Sequence, residues 1–170
     1  MALSGVCLPQ DQSDFIDLIF QGKFEDAIMS LNADPCLDVN FFTDHPCGFL
    51  PGISPFMMAC YFGEKPLALA LLMRGARIDA VCLAGRTALH YAAIGAKAPT
   101  PTSREELIDL LTYLNRDLLT KFDKFGNLPI HLAAQKGKLD VVKTLLAIEH
   151  CLKYIKNSHN QKTPLDMVPA

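Results

Sequence analysis

Gly126-Asn127-Leu128-Pro129-Ile130-His131-Leu132-Ala133-Ala134-Gln135-Lys136-Gly137-Lys138-Leu139-Asp140-Val141-Val142-Lys143-Thr144-Leu145-Leu146 reads as two short helices and the turn between them. Pro129 suits the first position of a helix, where a missing N–H costs nothing. Ala133 and Ala134, one turn later, leave that helix thin on one side and let a neighbour approach closely. Gly137 can end it in a left-handed conformation. Val141, Val142, Leu145 and Leu146 then give the second helix an apolar face.

Working outward, the opening phrase recurs. Ser54-Pro55-Phe56-Met57, Thr87-Ala88-Leu89-His90, Leu128-Pro129-Ile130-His131 and Thr163-Pro164-Leu165-Asp166 have second positions 33, 41 and 35 residues apart. Small pairs follow at Ala59-Cys60, Ala92-Ala93 and Ala133-Ala134. A Ser or Thr at the head of the phrase can accept the free N–H groups of a starting helix. Gly63 precedes a second apolar run, Leu67-Ala68 to Leu71-Leu72, as Gly137 precedes its own. A unit repeated at this period cannot bury its apolar face alone, so the units are expected to stack.

The stretch resembles the ankyrin repeat, whose pattern runs G-x-T-P-L-H-x-A-A-x-x-G, an acidic residue, V-V-x-L-L and then G-A-D-V-N. Gly75-Ala76-Arg77-Ile78-Asp79-Ala80 is similar to that last connector. The resemblance implies an all-α solenoid of stacked helix-turn-helix units with β-hairpin fingers. It covers residues 14–170, about four repeats and a partial fifth, behind a lead-in of residues 1–13. Asp14 to Asn40 is placed as the capping repeat, Phe41 to Ala80 as the second, Val81 to Lys121 as the third and Phe122 to Lys156 as the fourth. The last phrase stops inside its first helix, so the chain is expected to be the N-terminal part of something longer, weighed against a natural half-repeat ending.

Two insertions break the spacing. Val39 to Ser54 takes 15 steps where Ile78 to Thr87 takes 9, which lengthens the first finger and loads it with Phe41, Phe42, Phe49 and Leu50. These aromatics either meet a partner or fold back onto the stack. Ala92 to Leu107 takes 15 steps where Ala133 to Val141 takes 8. Its Ala98-Pro99-Thr100-Pro101-Thr102-Ser103 reads as a stiff polar loop ending in a capping box of Ser103 and Glu106.

In the family, finger tips and the exposed ends of the first helices bind partners. By position, the resemblance assigns protein binding to Phe41, Phe42, Tyr61, Phe62, Leu83, Arg86, Phe122, Lys124 and Phe125, and the inserted finger adds Phe49 and Leu50. It also implies that His90 and His131 are structural, each ring bonding neighbouring backbone. Met57 and Asp166, which replace that histidine, then predict weaker bonding between repeats at their positions, and Leu128 forgoes a capping hydroxyl worth about 1 kcal/mol.

Composition narrows the rest. Half of the 170 residues are hydrophobic and 20% are charged, which argues against disorder. The longest stretch without a charged side chain, His45 to Gly63, is broken by Pro46, Pro51 and Pro55, so no membrane-spanning helix is expected. Residues 1–85 hold 4 basic and 10 acidic side chains and residues 86–170 hold 12 and 8. The net −2 therefore hides halves of −6 and +4. Scattered lysines do not predict nucleic-acid binding.

Six cysteines without C-x-x-C spacing and without a secretory signal predict neither zinc nor disulfides, and fit a cytoplasmic, reducing setting. No nucleophile motif, phosphate loop or carboxylate pair is present, and Cys151 beside His150 has no identifiable orienting acid. The expectation is a monomeric, non-catalytic module without cofactor that binds another protein through its concave face and fingers. The alternative is a targeting or substrate-presenting N-terminal arm of a larger enzyme, which includes a secreted bacterial effector.

Overall fold

The computed structural model describes residues 9–43, 52–95 and 101–169. Among these residues eight α-helices follow one another in pairs: α1 (Pro9–Phe20) with α2 (Phe24–Ala33), α3 (Pro55–Phe62) with α4 (Lys65–Met73), α5 (Ala88–Ile94) with α6 (Pro101–Leu114), and α7 (Pro129–Gln135) with α8 (Leu139–Ile148). Short 3-10 turns span Arg116–Thr120, His150–Tyr154 and Leu165–Met167. The first helices α1, α3, α5 and α7 pack in one row and the second helices α2, α4, α6 and α8 in another. α1 begins ahead of Asp14, inside the stretch read as a lead-in.

The phrases at Ser54, Thr87 and Leu128 each start an α-helix, and the one at Thr163 leads into a 3-10 turn. Ser54 Oγ accepts the Met57 N–H at 3.3 Å, and Pro55 and Pro129 occupy the first turn of α3 and α7. Gly63 (φ 75°) and Gly137 (φ 66°) lie in the left-handed region at the turns between paired helices. Leu67, Leu71, Leu89, Leu107, Leu111, Val141 and Leu145 are fully or nearly buried between the two rows. At about 1.5–3 kcal/mol per buried leucine or valine, this strip is the main source of stability. The small pairs Ala59-Cys60, Ala92-Ala93 and Ala133-Ala134 are buried where adjacent first helices meet.

Two expectations change. Among the described residues no strand forms, and the only bridge is the isolated antiparallel pair Thr43 and Ile53. The fingers are narrow turns instead: Cys82 N–H donates to Arg86 O at 3.0 Å, Asp123 N–H to Asn127 O at 2.8 Å, and Asn157 N–H to Lys162 O at 2.7 Å. Arg86 and Asn127 are each followed directly by the residue that starts the next helix, which leaves no chain for a second rung.

The capping box at Ser103 also does not form. Pro101 opens α6 and places Ser103 inside the helix, where its hydroxyl donates to Gly63 O at 2.6 Å. Glu106 pairs with Lys65 of the preceding repeat at 2.6 Å. Proline at the helix start outcompetes a later hydroxyl, and the hydroxyl satisfies a carbonyl left over at the end of α3.

Candidate functional site

The geometry of the fingers begins with the two histidines. His90 Nδ1 accepts the Thr87 N–H at 3.1 Å, while its Nε2 lies 3.1 Å from Asn127 O in the next finger. His131 repeats the arrangement, with Leu128 N–H at 3.2 Å and Ile155 O at 3.0 Å. Each neutral ring thus closes the start of its own helix and donates to the following repeat. Burial pushes His90 down to about 4, against partial opposition from the Asn127 carbonyl, and burial lowers His131 as well. Asp166 takes over the first of these jobs: its carboxylate accepts the Thr163 N–H at 2.9 Å and the hydroxyl at 2.7 Å. Those two bonds hold its carboxyl below the usual range.

Asp123 organises the third finger. It is 5% exposed, and its Oδ1 accepts the N–H groups of Phe125 at 3.0 Å and Asn127 at 2.8 Å, while Oδ2 meets Arg86 Nε at 3.2 Å. The Arg86 guanidinium carbon lies 5.7 Å from the centre of the Phe125 ring, within range for a cation–π contact. Asn157 does the corresponding work in the fourth finger, accepting the N–H groups of His159 at 2.7 Å and Asn160 at 3.1 Å and donating to Phe125 O and Asn127 Oδ1.

Neighbouring fingers are also joined through main chain. Lys124 N–H donates to Ala84 O at 2.9 Å and Ser158 N–H to Gly126 O at 3.1 Å. Gly126 must be glycine twice over: its φ is +72°, and a Cβ there would collide with Ser158 Oγ. At the other end, Asn40 Nδ2 donates to Gly75 O at 3.0 Å and its Oδ1 accepts the Arg77 N–H at 2.8 Å.

The residues assigned to binding separate into four groups. Phe42, Leu83, Phe122 and Phe125 are 46–61% exposed, and Lys124 is exposed beside them. Phe41, Tyr61 and Phe62 are half-buried and packed against the core; the Phe62 ring centre lies 5.6 Å from that of Phe24 and 5.4 Å from that of Tyr61. Arg86 is half-buried and engaged with Asp123. Phe49 and Leu50 lie outside the described residues, as does the loop segment 96–100. Val81, 48% exposed, adds a further apolar tip.

Three arginines outside the repeated phrase cap helix C-termini. Arg74 donates to Leu31 O and, at 2.9 Å, to Asp34 O at the end of α2. Arg104, buried within α6, donates to Ala92 O in α5 and to Tyr61 O in α3, the latter at 3.3 Å. Arg116 reaches Ile148 O at 3.2 Å and the Glu149 carboxylate at 3.0 Å beyond α8. A cation at that end satisfies leftover carbonyls and opposes the negative pole of the helix. Each is a long side chain reaching a carbonyl at least 12 residues away in the chain, so no local motif announces them.

Among the described thiols, Cys60 and Cys151 are poorly placed for nucleophilic work. Cys36, Cys60, Cys82 and Cys151 are free. Burial pushes the Cys60 thiol far up. Cys151 donates to Glu149 at 3.1 Å, and that carboxylate raises it, whereas an activated thiol needs the opposite shift. His150 faces Lys153 at 2.7 Å instead. Among the described residues no helix is long and apolar enough to cross a membrane, and no group of three His, Cys, Asp or Glu side chains could hold a metal.

No curated protein matches the chain. Residues 114–168 match the family model described as ankyrin repeats (many copies). That segment holds the third and fourth fingers, α7, α8 and the closing phrase. Upstream of it, α3 to α6 repeat the same phrase, paired helices and finger contacts. Over residues 114–168 the chain is thus similar to the ankyrin-repeat family.

Proposed function

We propose that this chain binds a partner protein along the ridge of its fingers and the adjoining concave face. Ankyrin repeats are generally protein–protein interaction modules. One observation carries the reading here: Phe42, Leu83, Phe122 and Phe125 are exposed on consecutive fingers whose positions are held by main-chain and buried side-chain hydrogen bonds. Large apolar side chains on a rigid scaffold lose little entropy when a partner covers them. Tyr61 and Phe62 contribute through the edges that their packing leaves uncovered, and Arg86 by holding Phe125 in place.

The test uses the full chain as bait and a partner captured with it. Leu83→Ser and Phe122→Ser should each weaken binding about tenfold, the ordinary cost of losing a well-covered apolar anchor. Met73→Ser, at a position 88% exposed at the end of α4, should change nothing. Far-ultraviolet circular dichroism checks that the fold is retained. Equal binding by wild type and both finger variants rejects the surface.

A further inference from the structure

We infer that the segment taken by the fingers is a peptide rich in both apolar and acidic side chains. The inference rests on the finger reading above and adds the chemistry of the partner. Charge on the second finger is neutralised, because Arg77 lies 3.5 Å from Asp79 and Arg86 lies 3.2 Å from Asp123 of the third finger. On the third and fourth fingers the exposed charges are Lys121, Lys124, Lys156 and Lys162. Asp123, the one acid there, is buried and consumed by Arg86 and two backbone N–H groups. Asp166, the acid of the closing phrase, offsets one of the two charges of Lys156 and Lys162, so the larger share of the excess positive charge lies at Lys121 and Lys124.

These lysines interleave with the apolar tips. Lys121 and Lys124 flank Phe122 in sequence, and the hydrogen bond from Lys124 N–H to Ala84 O sets Lys124 beside Leu83 of the preceding finger. A segment crossing the second and third fingers therefore meets Leu83 first, and then Phe122 and Phe125 with Lys121 and Lys124 beside them. Carboxylates on that segment pair with the lysines, while its apolar groups cover Leu83, Phe122 and Phe125. Such rim charges govern selectivity and association rate, and buried apolar anchors govern lifetime.

A nucleic acid fits less well. Its phosphates call for a longer run of cations, the chain as a whole carries −2, and Leu83 offers no ring on which a base could stack.

The experiment pans a random-peptide display library against the full chain and titrates the recovered peptides by fluorescence anisotropy. Enriched peptides should combine Asp or Glu with large apolar residues, and should bind about tenfold more weakly both at high salt and to Lys121→Glu/Lys124→Glu. Peptides that need Leu83 and Phe122 but carry no acidic excess overturn the inference and leave the finger reading standing. Peptides indifferent to the Leu83→Ser/Phe122→Ser pair as well overturn both. Failure to enrich any peptide, equally tight binding of a single-stranded oligonucleotide, or occupation of the fingers by a second copy of this chain in sedimentation also overturns it.

Discussion

Lowering the pH should loosen the array through His90 before most carboxylates titrate. The ring is fully buried and neutral, because Nδ1 must stay unprotonated to accept the Thr87 N–H while Nε2 keeps its hydrogen toward Asn127 O. Asp123 and Arg86 are the charged groups acting on it, in opposite directions. Burial holds the folded ring at about 4 against an ordinary 6.5, a gap equivalent to about 3 kcal/mol. The unfolded chain binds the proton first, so this contribution is fully present above about pH 6.5 and is lost as the pH falls toward 4. Between pH 8 and pH 5 the loss is about 2 kcal/mol.

Urea unfolding followed by circular dichroism measures it. Wild type should lose about 2 kcal/mol more over that interval than His90→Gln, which is weaker at pH 8 but has no ring to protonate at this site. His131 titrates in the same direction in both proteins and cancels in the comparison. Parallel pH profiles for the two proteins, or a His90 resonance that titrates near 6.5 by nuclear magnetic resonance, would refute the reasoning.

Other perturbations separate the remaining contacts. Asp123→Asn keeps an oxygen for the two turn N–H groups but removes the charge facing Arg86; it should cost about 2–3 kcal/mol in urea, and a loss under 0.5 kcal/mol would show the pair to be idle. Leu128→Thr restores the capping hydroxyl, worth about 1 kcal/mol, yet gives up about 1.5–3 kcal/mol of burial at a fully buried position. The thermal midpoint should therefore fall, and a rise would mean that the cap outweighs the core. Gly126→Ala should cost at least about 1 kcal/mol from its positive φ alone, and Ser158→Ala should recover only the part due to the Oγ clash. In the native protein an aromatic disulfide reagent should label exposed Cys36 and Cys151 and spare Cys60 and Cys82 until urea is added.

What could be read from residues alone was whatever depends on near neighbours. The phrase at Ser54, Thr87 and Leu128 starts helices, and Gly63 and Gly137 lie at the turns between them, each settled within a few positions of the chain; the backbone bonding of His90 and His131 came from family position, and their contacts to Asn127 and Ile155 reach into the next repeat. Family position also located Leu83, Phe122 and Phe125 on the exposed tips. Legibility failed where the stack decides. Ser103 looked like a cap because its local spacing fits one, but the carbonyl it serves, Gly63, is 40 residues away. Arg104 had no visible partner because both of its carbonyls belong to other helices. Tyr61 and Phe62 occupy the exposed end of a first helix in sequence, yet Phe24 from the capping repeat covers one face of the pair.

The links between fingers run from Lys124 N–H to Ala84 O and from Ser158 N–H to Gly126 O, atoms that every residue except proline supplies. The spacing of the ridge is therefore indifferent to the identity of the side chains it displays. Leu83, Phe122 or Lys124 can be exchanged one at a time, and the teeth of the comb keep their pitch. Such a surface can change what it recognises by single substitutions, with no repair of the scaffold required in between, much as a key blank accepts new cuts without a new blade.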